Sequence, residues 1–171
     1  MKRIVPNFTL VLGGARSGKS RYAEALVTAH ASPWVYLATG QAFDDEMRAR
    51  IAGHQASRSP CWQTIEAPVD LHTPLIKHAG RPVLVDCLTL WLTNLMLADH
   101  DVAAATASLH MALAGREAPT VLVSNEVGLG IVPETPLGRA FRDAAGRLHQ
   151  RLATQAGHVI LMVAGLPLTV K

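Results

Sequence analysis

Residues 13–20 read "GGARSGKS" and follow directly on the apolar run "FTLVL" at 8–12. Gly13, four residues, then Gly18-Lys19-Ser20 is the P-loop spacing. Its glycines let backbone N–H groups wrap phosphates, its lysine reaches the outer phosphates, and its serine hydroxyl ligates Mg²⁺. A glycine turn closing an ordinary strand is the plain alternative. The flanks favour the P-loop: a β-rich run precedes it, and "SRYAEALVTAH" (20–30) after it reads as a helix whose N-terminus would face the anion.

The pattern that starts here continues along the chain. "WVYLA", "PVLVD", "TVLVS" and "VILMVAG" are short apolar runs rich in β-branched residues, suited to strands buried on both faces. Helical patterns fall between them: "DDEMRARIAGHQASR", "TLWLTNLMLAD", "VAAATASLHMALAG" and a long one opened by Thr135 and Pro136. Gly157 suits the end of that last helix, and Leu137, Phe141, Ala145, Leu148 and Leu152 form its apolar stripe. Alternating strands and helices predict an α/β fold, a mainly parallel sheet flanked by helices. "RSPCWQTIEAPVDLHTP" (58–74) is the least regular stretch and reads as loop and short strand. No repeat or linker divides the chain, so residues 1–171 are expected to form a single domain.

Composition bounds the rest. At 49% hydrophobic and 17% charged residues the chain can bury a sizeable core. A net charge of +3 is explained by anionic small molecules as well as by nucleic acid; there is no dense basic run, and no nucleic-acid partner is expected. Cys61 and Cys87 have no metal-type spacing, and free thiols in a reducing compartment are the simplest reading. Pro6 and Asn7 interrupt what would otherwise resemble a signal peptide. "VLVDCLTLWLTNLML" carries Asp86, Thr89, Thr93 and Asn94, so it reads as a buried strand and helix rather than a membrane span. A soluble cytoplasmic protein is expected.

In such folds ligands sit beyond the carboxyl ends of the strands. The P-loop, Thr39-Gly40, Asp86 and Asn125-Glu126 all fall there. Asp86 is a candidate to hold Mg²⁺ with Ser20. Glu126 is a candidate to take a proton from an attacking hydroxyl or to support the metal, with a turn cap the equal alternative. His54 follows Phe43, Met47 and Ile51 at nearly the same helical angle. A packed core histidine is the common case, but a neutral imidazole can also attack phosphorus. Arg58 could steady phosphoryl charge or simply be solvated. Arg139, Arg142, Arg147 and Arg151 read mostly as a solvated basic face, and the remaining histidines form no ligand spacing. The residues alone lead to a P-loop nucleotide enzyme, a small-molecule kinase.

The segments "GGARSGKSRYAE", "VYLATG", "DDEMRARIAGHQASR", "DCLTLWLTNL", "SNEVGLGIVPETPLGRAFRDAAGRLHQRLA" and "VAGLPLTVK", in that order, closely resemble the bifunctional adenosylcobinamide kinase/adenosylcobinamide-phosphate guanylyltransferase family of cobalamin biosynthesis. The resemblance implies a RecA-like P-loop fold and two reactions. Adenosylcobinamide is phosphorylated by ATP or GTP; GMP from GTP is then transferred to that phosphate through a guanylylated histidine. The matching position is His54, which joins Lys19 as a catalytic candidate. The resemblance also implies nucleotide contacts from Gly13, Gly14, Ala15, Arg16, Ser17, Gly18, Lys19 and Ser20. Further contacts are implied from Ala38, Thr39 and Gly40, from Gln55, Ala56, Ser57 and Arg58, and from Glu66 and Asp86. It implies a homotrimer. Two positions depart from the family pattern: Gly53, where many relatives carry a second histidine, and His149, where an asparagine is common.

Overall fold

Alternation sets the two faces of strand β1, Phe8–Gly13. Phe8 and Leu10 enter one apolar cluster and Val11 enters another, on the opposite side of the sheet. Strands β2 (Trp34–Ala38), β4 (Val83–Asp86) and β5 (Thr120–Asn125) repeat the pattern: β4 and β5 bury aliphatic residues on both faces, and β2 buries Val35 and Leu37 on one face and Tyr36 on the other. Strands β3 (Trp62–Glu66), β6 (His158–Val163) and β7 (Leu166–Thr169) complete a seven-stranded sheet of order β3-β2-β4-β5-β1-β6-β7. Every pairing is parallel except β6 with β7. The computed structural model describes residues 8–41 and 59–171, and the sequence-predicted helix carrying His54 lies outside them.

Helices cover both faces. Helix α1 (Lys19–Thr28) packs Ala23 and Val27 against Val11, Leu84 and Val121. On the other face lie α2 (His72–Lys77), α3 (Leu88–Leu97), α4 (Val102–Ala114) and α5 (Pro136–Gln155). They contribute Leu75, Trp91, Leu109, Leu148 and others to the larger core cluster. Each fully buried leucine there contributes about 1.5–3 kcal/mol. The Asp101 carboxylate caps α4 by accepting from the Ala103 and Ala104 N–H groups.

The predicted elements are largely present, with three differences. Residues 58–74 hold the expected short strand as β3 but also the start of α2, a helix of six residues with too little periodicity to read. The C-terminal tail forms β7, reached through Ala164 and Gly165, both at positive φ, which suits a tight hairpin turn. Pro167 is tolerated because β7 is an edge strand. Thr135 caps α5 as expected, its Oγ1 accepting from Gly138 N at 3.1 Å. The stripe of α5, however, faces the core only from Ala145 onward; Leu137 is exposed and Phe141 half-buried, and the first turns meet the preceding loop through Arg139 and Arg142. Gly157 follows the Ala156 cap at the end of α5, as expected, and ties the chain back to β1, its N–H donating to Phe8 O at 3.0 Å.

One cation braces the lower core. Arg116 is 6% exposed and donates to the Leu75, His78 and Arg81 carbonyls and to Thr120 Oγ1. Burial pushes its guanidinium down to about 10. Arg116→Met strips these oxygens of their donors in a place water does not reach. The expected loss is about 3 kcal/mol of stability, read as a lower urea midpoint; an unchanged midpoint would show that the carbonyls find other partners.

Candidate active site

The turn after β1 is shaped by what surrounds Gly13. Its φ is +153°, and a Cβ there would lie 2.7 Å from both Met162 O and Ser17 Oγ. No side chain fits, so the chain passes close beside the end of β6 before turning. Gly18 (φ +91°) and Arg16 (φ +54°) complete the loop in the left-handed region. Gly18 caps α1 without any side-chain hydrogen bond to the first turn. The first N–H groups of α1 thus have no capping acceptor from Gly18, and an anion is their natural partner. Gly14, Ala15 and Arg16 are exposed around the opening, with Ser17 and Ser20 half-buried.

Lys19 is 7% exposed and folded over this loop: its Nζ donates to Gly14 O and, at 3.4 Å, to Ser17 Oγ. Burial lowers its pKa, opposed by the nearby Cys87 and Asp86. The ammonium therefore sits in a poorly solvated position, held by neutral oxygens that a phosphate would outcompete.

Strand register supplies the rest. Gly13 pairs with Asn125, and Ala38 pairs with both Asp86 and Glu66. Residues from five stretches of sequence are thereby brought to one sheet edge. Asp86 is half-buried and its Oδ2 accepts from the Tyr36 hydroxyl at 3.1 Å. Ser20 and Asp86 offer hard oxygen donors, and among the described residues there is no cluster of three His, Cys, Asp or Glu side chains able to hold a metal. That donor set suits Mg²⁺, which takes one or two protein oxygens and fills its octahedron with phosphate and water.

Thr39 is fully buried and serves as a brace. Its Oγ1 donates to Cys87 O and accepts from Cys87 N, both at 2.7 Å. Asn94 Nδ2 donates to Thr39 O and to Pro68 O, each at 2.8 Å, joining the loops after β2 and β3. Ala38 and Gly40 are half-buried beside it, and Glu66 is exposed. His54, Gln55, Ala56, Ser57 and Arg58 lie outside the described residues.

Glu126 is tied directly to the P-loop strand, its N–H donating to Gly13 O at 2.9 Å. Its Oε1 accepts from Gly128 N, and its Oε2 lies 3.9 Å from His149 Nδ1. His149 Nε2 is 2.8 Å from Ser124 Oγ, which is 3.1 Å from Thr89 Oγ1; Thr89 Oγ1 accepts from Asn125 N at 2.6 Å. Arg142 donates to Gly128 O at 2.6 Å, and Arg139 to Pro133 O and Glu134 O. These two guanidiniums hold the 126–135 loop and do not belong to a merely solvated face. Ser124 and Tyr36 were not legible as site residues, and His149 stood out only as a departure from the family pattern. For Thr89 and Asn94 the one available signal was a polar residue inside an apolar run.

A strand, a glycine loop and a helix at the carboxyl edge of a parallel sheet, with a buried lysine and a strand-end acid beside them, define a P-loop nucleotide-binding protein. The cobinamide kinase / cobinamide phosphate guanyltransferase (CobU) family model matches residues 9–170. The bifunctional adenosylcobalamin biosynthesis protein CobP of Pseudomonas aeruginosa is 48% identical over 95% of this chain and 96% of its own length. The corresponding CobU of Escherichia coli is 43% identical over 95% of this chain and 98% of its own. The chain belongs to this family. In fold it is also similar to a prototypical ATPase from the type III secretion system of pathogenic bacteria (TM-score 0.50, 9% identity), a likeness covering 96% of this chain and 57% of that one.

Burial lowers the pKa of His149, and attraction to Glu126 only partly opposes this. The folded state therefore binds fewer protons than the unfolded chain below about pH 6.5, so stability falls as pH drops through that value. His78, also lowered by burial, adds to the slope with the same sign. His149→Asn is expected to flatten the slope of urea midpoint between about pH 7.5 and 5.5; equal slopes would mean the imidazole charges freely in the fold.

Proposed function

We propose that this chain carries out both reactions of its family: phosphorylation of adenosylcobinamide by ATP or GTP, then transfer of GMP from GTP to adenosylcobinamide phosphate, with release of pyrophosphate. The observation that carries this reading is the register that sets Gly13, Asp86 and Asn125-Glu126 at one edge, in a chain matching the family from 9 to 170.

In the first reaction the substrate hydroxyl attacks the γ-phosphorus. The O–P bond forms as the bond to the β,γ-bridging oxygen breaks, and the nucleoside diphosphate leaves. Glu126 takes the hydroxyl proton. Lys19 exchanges Gly14 O for phosphate oxygens, while Gly13 to Ser20 cradle the triphosphate. Ser20 and Asp86 would hold Mg²⁺, which supplies charge neutralisation on the phosphates. Ala38, Gly40 and Glu66 complete the nucleotide contacts, with Thr39 supporting them from within, since its hydroxyl is spent on Cys87, its N–H on Asp86 O and its carbonyl on Asn94.

In the second reaction the His54 imidazole attacks the α-phosphorus of GTP and pyrophosphate leaves. The phosphate of the corrinoid then attacks the guanylylated histidine, the N–P bond breaks, and His54 is restored. Gln55, Ala56, Ser57 and Arg58 would contact GTP beside it. Incubation with Mg²⁺ and GTP labelled at the α-phosphate should leave acid-labile, base-stable label on the protein and none on His54→Ala. Label retained by that variant would remove His54 from the role. No label on an active kinase would reduce the function to phosphorylation.

The working form is a homotrimer in the cytoplasm. Among the described residues no helix is long and apolar enough to cross a membrane. Cys61 and Cys87 are free thiols, as suits a reducing compartment. Leu129 and Ile131, 86% and 97% exposed, and the outer residues Leu166, Leu168 and Val170 of the C-terminal hairpin offer apolar surface for neighbouring copies to cover. Light scattering should give three times the chain mass; a monomer across the micromolar range would overturn the trimer.

A further inference from the structure

Ser124, His149 and Glu126 stand in the order of a hydrolase triad, hydroxyl to imidazole to carboxylate. The arrangement cannot work as one. Ser124 is 1% exposed and its hydroxyl is already engaged by Thr89, so no substrate carbonyl reaches it. The other end lies nearer the phosphate loop: Glu126 is half-buried and its backbone N–H is bonded to Gly13 O.

The direction of the chain of hydrogen bonds can be followed from a donor whose role is not in doubt. Asn125 N–H donates to Thr89 Oγ1. Thr89 O–H is then free to donate to Ser124 Oγ, and Ser124 O–H to His149 Nε2. This leaves Nε2 as acceptor and places the single proton of the neutral ring on Nδ1, facing Glu126 Oε2. The reverse arrangement would point a bare Nδ1 lone pair at the carboxylate, which is repulsive. At 3.9 Å the Nδ1–Oε2 contact is an electrostatic one, of the kind that tightens when substrate closes the site. Gly128 N–H holds the other carboxylate oxygen, and Arg142 holds Gly128 through its carbonyl.

We propose that His149 is a positioning residue for the phosphoryl-transfer step: through its Nδ1–H it fixes the orientation of the Glu126 carboxylate toward the acceptor hydroxyl, anchored from behind by Ser124 and Thr89. The inference rests on Glu126 being the group that takes the hydroxyl proton. His149 itself neither gains nor loses a proton; its ring is the rigid link between a backbone N–H of β5 and the carboxylate.

Two measurements test this. The ¹⁵N shifts of His149 in the wild-type protein should report a neutral ring protonated on Nδ1; protonation on Nε2 would overturn the proposal without any variant. In kinase assays, His149→Phe should lower kcat about tenfold or more while the triphosphate KM stays within about twofold. His149→Asn, whose amide keeps one donor and one acceptor, should recover most of the loss. If Glu126→Gln keeps full kcat, the proton-acceptor reading fails and this inference fails with it. If Glu126→Gln is impaired but His149→Phe is not, the positioning role alone is overturned. Should His149→Phe fail to fold, Ser124→Ala substitutes for it, with loss of the Nδ1 tautomer and of kcat expected together; neither changing overturns the proposal.

Discussion

At Gly13 the backbone passes so close to the Met162 carbonyl and the Ser17 hydroxyl that no Cβ can stand between them. That close approach lets β1 end beside β6 and turn at once into the glycine loop. It also puts the Gly13 carbonyl where Glu126 N–H meets it, so the phosphate cradle and the acid beside it share one backbone contact. Everything chemical in the molecule is arranged about this point. Lys19 folds over the loop, and Asp86 stands two strands away.

The interior is predominantly apolar, and its polar exceptions are structural. Thr39, Thr89, Asn94 and Ser124 are buried polar residues, and each has hydrogen-bond partners. They tie loop to loop at the edge of the sheet where apolar packing alone would leave backbone groups unpaired. Asn94 joins the segments after β2 and β3; Thr89 supports the start of the segment after β5. Because such bonds are directional, they orient the strand ends in a way that side-chain volume cannot. Below them Arg116 does the same at the opposite end of the core, collecting the Leu75, His78 and Arg81 carbonyls from the stretch that leads out of α2 toward β4.

How much of this was readable beforehand depends on range. β1, the P-loop and α1 form one contiguous unit with strong local preferences, and the strands β2, β4, β5 and β6 announce themselves by length and β-branching. The cap of α5 at Thr135 was equally local. By contrast, α2 is too short for a period to emerge, and β7 exists because a two-residue turn folds the tail back onto β6. The outer half of the α5 stripe looked like core because periodicity records which residues share a face, not how far along the helix the core reaches. Tyr36 and Ser124 looked like ordinary strand residues; nothing in their neighbours signals the carboxylate or imidazole each one meets.

The sequence by itself determined the strand–helix alternation, the phosphate loop, the acids at the strand ends and, through the order of its motifs, the family. These are local or collinear properties, carried by neighbouring residues and their spacing. Only the tertiary structure decided that β4 and β5 lie between β2 and β1, and hence that Asp86, Gly13 and Glu126 come together. Strand order is set by which buried faces pack best across the whole sheet, a long-range competition with no signature in any one segment. The same competition turned His149, one histidine among eight, toward Glu126.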